Sequence, residues 1–384
     1  MSIQQQLRTS SEHRRVGLPD PVCSDVTQDW HNPSPQDPLR IENLCSLLCL
    51  KKILFVGPET TFHLHANLLQ AIEIHENRSH SCLGTEFCTF HQICRAPRSP
   101  ESSEPFFPSG GFKKYPSNRE LAASQSAILK YILSNSLYAG RDMQDPRYID
   151  PLAQVDSSTG VRQKERYWFG QARKADVIIL NRGPIPAPQW THDGTREGNW
   201  TFARKPNANA RLRREDVDDD DTTKELYVER ILDVALRATV DTFLPEVVET
   251  LKALSKEDRQ HDRVILWHGS WFIESACAQG TEDDTQIMNV LDSRMDPWTL
   301  FYNAQVYMHN YVLSSLHPYY QVVFVPMILP SWKSNTVDLG YSKQLIMGRK
   351  DCLKHRFGSI LEEHTRGALV RGISLALQEK PISA

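Results

Sequence analysis

Four short apolar runs punctuate a largely polar chain, and each ends at a polar or glycine-containing turn. Ile53 to Val56 follows Lys51 and Lys52 and stops at Gly57 and Pro58. Val177 to Leu180 stops at Asn181, Arg182 and Gly183. Val264 to Trp267 leads into His268 and Ser270, and the run from Gln321 to Leu329 is closed by Pro330. Uninterrupted apolar runs of this length predict strands buried on both faces, as in a parallel sheet. Helical spacing fills the intervals. Ile41, Leu44, Leu47 and Leu48 predict a helix before the first strand, and Leu64, Leu68, Leu69 and Ile72 one after it, with Thr60 or Thr61 as its N-cap. Further helices are expected over 119–138, over 167–175 as a short turn, over 226–254 with a break near Pro245, over 298–316 and over 360–377. Strands alternating with helices predict an α/β fold, a three-layer sandwich around a mainly parallel central sheet.

Outside this pattern, residues 1–40 are polar and rich in Pro, Asp and Ser, a loosely ordered arm in which Trp30 and Pro33 are the residues able to dock. Residues 41–377 then form a single domain, with insertions near 95–118 and 191–224. The second insertion contains a charged stretch, Arg204 to Lys224, with the run Asp218 to Asp221, which reads as a solvated segment.

Composition narrows the partners. The net charge of -3 provides no basic field for nucleic acid. No stretch approaches the roughly 18 apolar residues of a membrane span, and Met1 to Arg8 lacks a signal-peptide core. The expectation is a cytoplasmic protein acting on a small molecule or carbohydrate, with a secretory route left open if the N-terminus is incomplete. Eight cysteines in 384 residues are not disulfide-dense, so buried, reduced thiols are expected. Cys82, Cys88, His91 and Cys94 could together supply four zinc ligands, but their spacing matches no common finger, and no metal is expected. Pairing of Cys82 with Cys88, or Cys88 with Cys94, would need a secretory route. So would use of the glycosylation sequons at Asn77 and Asn199.

Candidate chemistry gathers at the strand ends, because open α/β sheets bind ligands at their carboxyl edge. Gly57 ends the first strand. Asn181 and Gly183 end the second, where Asn181 either aims its amide at a ligand oxygen or turns the chain. His268 ends the third, as a spare base or a satisfied structural histidine. His63 and His65 are two apart on a helix and face different ways. Trp267, Trp271 and Trp332 are core or pocket wall.

The order of these segments resembles the PC-esterase group of the SGNH (GDSL-like) hydrolase fold, which includes trichome-birefringence-like polysaccharide O-acetyltransferases. Four pieces carry the resemblance: Trp30 to Gly57, ending in Phe55-Val56-Gly57; Asp176 to Gly183, similar to a strand ending in Asn-x-Gly; Arg263 to Ser270; and Asp351 to His355, similar to an Asp-Cys-x-His box that supplies the catalytic Asp and His. The resemblance covers most of residues 30–377 and implies an SGNH-like fold and acyl chemistry without a cofactor.

Two departures bear on the mechanism. The family follows Phe-Val-Gly with Asp-Ser, whose Ser is the nucleophile. Here Pro58, Glu59 and Thr60 follow, so direct register puts Glu59 at the nucleophile position and a one-residue slip puts Thr60 there. Likewise, direct register puts Lys354 at the His position and a slip restores His355. With both slips the resemblance implies a Thr60, His355 and Asp351 triad, with Gly57 N–H and Asn181 as oxyanion donors. With neither, Glu59, Lys354 and Asp351 suit acid–base work, such as isomerisation, elimination or cyclisation, or plain ligand binding.

Overall fold

The computed structural model describes residues 41–80, 89–96, 116–134, 137, 153–155, 162–164, 168–184, 220–258, 263–273, 297–327, 341–346 and 349–379. The chain is a mixed α/β protein built on a six-stranded sheet. Strand β1 (Lys52–Gly57) lies inside it, flanked by β3 (Ala127–Leu133) and β6 (Val177–Leu180), both parallel to it. Strands β7 (Val264–His268) and β8 (Val323–Val325) continue the parallel array beyond β6. Strand β2 (Phe90–Ile93) closes the other edge, antiparallel to β3. All four apolar runs therefore share one mainly parallel sheet. Two hairpins stand apart, β4 (Ala153–Val155) with β5 (Arg162–Lys164) and β9 (Tyr341–Ile346) with β10 (Arg349–His355).

Each central strand buries both faces. Ile53 and Phe55 of β1, Val177 and Ile179 of β6 and Leu266 of β7 pack with Leu44 and Leu48 of α1 (Ile41–Leu48), Leu64, Leu68 and Ile72 of α2 (Glu59–Glu76), and Leu369 and Ile373 of α8 (Ile360–Glu379). The alternate residues Leu54, Val56, Ile178, Leu180 and Trp267 pack with Phe169 and Ala172 of α4 (Phe169–Ala172), Val247 and Leu251 of α6 (Leu244–Asp258), and Leu313 of α7 (Pro297–Tyr320). Period-two alternation thus feeds two apolar layers, which is why these strands read as continuous apolar runs rather than alternating ones. The arrangement is compatible with a three-layer α/β sandwich.

Several expectations are corrected. The helix expected over 119–138 covers only α3 (Asn118–Ser124), and β3 follows it. Ser117 and Glu120 form a capping box at its start, and Gln125 ends it with φ 49°. The apolar stretch after that stop pairs residue for residue with β1, so sheet pairing overrides a spacing that also suits a helix. Neither Thr60 nor Thr61 caps α2: its N-cap is Pro58, with no side-chain cap bond, and both threonines lie in the first turn. The long helix does not break at Pro245. α5 (Asp220–Arg237) passes through a π-helical turn, Ala238–Phe243, into α6. The wider turn directly before Pro245 accommodates a residue that has no N–H and whose ring crowds the carbonyl four residues back. The helix also begins earlier than expected, taking Asp220 and Asp221 out of the charged insertion.

The cysteines are corrected too. Cys45 of α1 is disulfide-bonded to Cys94 at the end of β2, and Cys49 is disulfide-bonded as well. Among the described residues no cysteine is free. Cys82, Cys88, the arm 1–40, Asn199 and Trp332 lie outside the described residues, as does most of both expected insertions. No helix among the described residues is long and apolar enough to cross a membrane.

Candidate functional site

The parallel strands run in the order β3-β1-β6-β7-β8, so the chain moves to one side of β1 and then returns to the other. Such a reversal opens a crevice at the carboxyl ends of the two strands where the order switches, here β1 and β6. Gly57 and Asn181 stand at those two ends, and His268 ends β7 beside them.

The residue that meets His268 is Thr61. Its Oγ1 lies 2.9 Å from His268 Nε2. His268 Nδ1 lies 2.8 Å from the carbonyl of Gly269, which can only accept, so Nδ1 carries the proton. Nε2 is then a lone pair, and the Thr61 hydroxyl donates to it. Burial pushes the His268 pKa down to about 4, against a smaller upward pull from the Gly269 carbonyl. At neutral pH the imidazole is therefore an uncharged base, aimed at a hydroxyl and fixed in one tautomer by its other nitrogen.

Asn181 braces the arrangement. Its Nδ2 donates to His268 O at 2.7 Å and to Ser270 Oγ at 3.3 Å, which uses both amide hydrogens. The same Nδ2 lies 3.2 Å from His268 Nδ1, a close approach of two donors rather than a hydrogen bond. The Asn181 amide thus ties the ends of β6 and β7 together. Asn310 of α7 donates to Ser270 O at 3.2 Å and secures the same turn from the helix side.

Glycines make the crossing possible. A Cβ on Gly269 would sit 2.7 Å from Asn310 Oδ1, and one on Gly183 would sit 3.0 Å from Pro58 Cγ. Strand β3 contributes Tyr131, whose hydroxyl donates to Gly57 O at 3.0 Å and reaches Pro58 O at 3.3 Å, clamping the turn between β1 and α2.

The remaining sequence-expected residues lie on α2 and β10. Thr60 is buried at the start of α2, and its Oγ1 has no hydrogen-bond partner. Glu59 has a side chain 17 % exposed, one helical turn from His63 with 3.8 Å between Oε1 and Nε2. His355 ends β10, its ring 4.8 Å from that of Trp271, which follows β7. Burial pushes its pKa down to about 3. Lys354 precedes it, half-buried. Asp351 occupies β10 opposite Ser342 in the β9 register, and its side chain lies outside the described residues. Thr61, Tyr131 and Asn310 were not singled out as site residues from sequence. A second threonine in the first helical turn after Gly57-Pro58 is the available signal for Thr61; nothing local marks Tyr131 or Asn310, which arrive by tertiary packing.

Behind the centre, Arg182 pairs with Glu246 at 2.7 Å and lies 5.9 Å over the ring of Phe243 from the π turn. His309 stacks on Phe243, with the ring centroids 3.5 Å apart. Burial, and secondarily the charge of Arg182, hold His309 well below its ordinary pKa. The π turn therefore delivers an aromatic ring to the Arg182 cation at the carboxyl end of β6.

Among the described residues, no group of three or more His, Cys, Asp or Glu could hold a metal ion. No protein-family model matches the chain, and no curated protein sequence matches it. What the fold and the site define is an α/β protein with a neutral histidine and a hydroxyl joined at the switch point of its sheet.

Proposed function

We propose that the chain is an acyl-transfer enzyme, a divergent SGNH-like esterase or O-acyltransferase, in which Thr61 is the nucleophile and His268 its base. The observation that carries this reading is the 2.9 Å contact between Thr61 Oγ1 and the unprotonated Nε2 of His268. A nucleophile within hydrogen-bond reach of a base that a third group orients is the signature of covalent acyl chemistry. In this chain the orienting group is the Gly269 carbonyl rather than a carboxylate. Thr61 Oγ1 would attack the acyl carbon as its proton passes to Nε2. That proton then leaves with the departing alcohol, and water or an acceptor hydroxyl reverses the steps. The substrate is a small or sugar-like ester.

This assignment replaces Thr60 with its neighbour and gives the histidine role to His268 rather than His355. Both Thr61 and His268 are fully buried, so turnover includes an opening step. The test is intact-mass and peptide mapping after exposure to a fluorophosphonate and an activated acetyl ester. One adduct on Thr61, absent in His268→Gln, is expected. An adduct on Thr60 would restore the other register, and no adduct on folded protein would overturn covalent catalysis.

A second reading rests on the Glu59–His63 pair, whose carboxylate is the more open group. A carboxylate and an imidazole one helical turn apart can pass a proton in an isomerisation or elimination. In that case Glu59→Gln abolishes turnover while Thr61→Val does not.

A further inference from the structure

The disulfide and one of the two sequons meet at the same end of the molecule. The Cys45–Cys94 bond ties α1 to the residue after β2. Two residues further on, the Ala96 carbonyl accepts a hydrogen bond from Arg78 Nη2 at 2.7 Å. Arg78 is the middle residue of the sequon Asn77-Arg78-Ser79, which begins where α2 ends.

Asn77 is well placed to carry a substituent. It is the C-cap of α2, in the left-handed region at φ 51°, ψ 42°, where Asn is among the residues that tolerate positive φ. Its backbone N–H is satisfied by Ile74 O at 3.2 Å, so the turn is held by the main chain and not by the Asn77 amide. The residue is exposed, on a segment whose neighbours Glu76 and His80 are buried. Glu76 Oε1 lies 3.0 Å from His80 Nε2, so the backbone on either side of the sequon is anchored while its asparagine projects outward.

Compartment decides whether such a site is used. Cytosolic thiols are kept reduced, and persistent structural disulfides belong to oxidising lumens and the cell exterior. Every described cysteine of this chain is disulfide-bonded, including the buried Cys94. N-linked glycosylation of Asn-X-Ser occurs on the same secretory route. The disulfide thus favours the environment in which the exposed sequon could be used, and together they move the expected location away from the cytosol.

We propose that this chain matures in an oxidising secretory lumen and carries an N-linked glycan on Asn77. The donor is a lipid-pyrophosphate-linked oligosaccharide. The Asn77 amide nitrogen forms the new bond to the anomeric carbon, the sugar–phosphate bond breaks, and the amide proton is lost as the lipid pyrophosphate departs. Formation of Cys45–Cys94 removes two electrons and two protons from the thiols, which a lumenal disulfide oxidant accepts.

The experiment expresses the full chain behind a cleavable secretory leader in a eukaryotic host, with Asn77→Gln and Ser79→Ala variants. Amidase release in heavy-oxygen water marks the occupied asparagine, and peptide mapping without reduction reads the disulfides. Label at Asn77, lost in both variants, together with a linked Cys45–Cys94 peptide is the expected result. Ser79→Ala leaves the Asn77 cap in place, so a folding defect confined to Asn77→Gln does not obscure the answer. Secreted, folded protein with Asn77 unmodified would overturn the site, and free thiols at Cys45 and Cys94 in that protein would overturn the compartment. Neither outcome depends on whether Thr61 is a nucleophile.

Discussion

Thr61 occupies the space that a side chain on residue 57 would need: a Cβ built on Gly57 falls within contact of Thr61 Oγ1 and Cβ, and 2.8 Å from the backbone oxygen of Asn181. The missing side chain at the end of β1 is therefore what admits the hydroxyl to His268. Gly57→Ala is expected to destabilise the fold by about 1–3 kcal/mol, the usual cost of overpacking. Thr61→Ala in the same chain should return part of that loss but not all, because the Asn181 carbonyl cannot move aside. A double-mutant cycle by urea unfolding measures the coupling, and strict additivity of the two changes would contradict the packing described.

The two adjacent threonines should respond oppositely to loss of their hydroxyls. Thr61→Val leaves His268 Nε2 buried without its donor, which is expected to cost about 1–3 kcal/mol. Thr60→Val removes a buried hydroxyl that has no partner and is expected to be neutral or stabilising. Denaturation midpoints of the two variants decide this. Equal losses would show that Thr60 also holds a hydrogen bond.

How far the sequence foretold this arrangement depends on the kind of interaction. The four apolar runs were legible because strands buried on both faces need no alternation, and β1, β6, β7 and β8 take their places in one sheet. Gly57, Asn181 and His268 were legible as strand ends, where topology alone brings residues together. Strand β3 was not, since Ala127 to Leu133 suits a helix or a buried strand equally and only pairing with β1 decides. The partner of His268 was not legible either. Thr60 and Thr61 are the same residue type one position apart, and which of them faces β7 depends on Pro58 rather than a threonine capping α2. The Cys45–Cys94 pairing, 49 residues apart, has no local signature at all.

That disulfide makes a measurable contribution. Closing a loop of 49 residues in the unfolded chain is worth about 4 kcal/mol on loop-entropy grounds. Cys45→Ser with Cys94→Ser is expected to lower unfolding stability by about 2–5 kcal/mol. Reductant should produce a larger loss in the parent than in the double variant, which keeps only the disulfide of Cys49 to lose. A parent protein indifferent to reductant would show that the bond does not constrain the fold.

Buried histidines set the acid limit of the fold. Burial holds His268 near 4, and His65 and His355 near 3, against an ordinary value of 6.5. Their folded pKa values are depressed, so the unfolded chain takes up protons that the folded chain refuses. Above about pH 6.5 all three are neutral in both states and stability is flat with respect to them. Below it stability falls, and the loss continues until the folded values near 4 and 3 are reached. With His309, depressed in the same way, four histidines contribute, and the slope approaches about 5 kcal/mol per pH unit, four times the ~1.4 kcal/mol of a single site. His65 isolates one share of it. Its ring lies among Phe55, Phe62 and Tyr131 at centroid distances of 5.7, 6.2 and 5.8 Å, and neither ring nitrogen has a hydrogen-bond partner. His65→Phe is therefore expected to preserve the fold at pH 7.5 and to reduce the acid slope by roughly one site's worth of protons. Urea unfolding at pH 7.5, 6 and 5 checks both, and an unchanged slope in the variant would mean that His65 already takes a proton in the folded state.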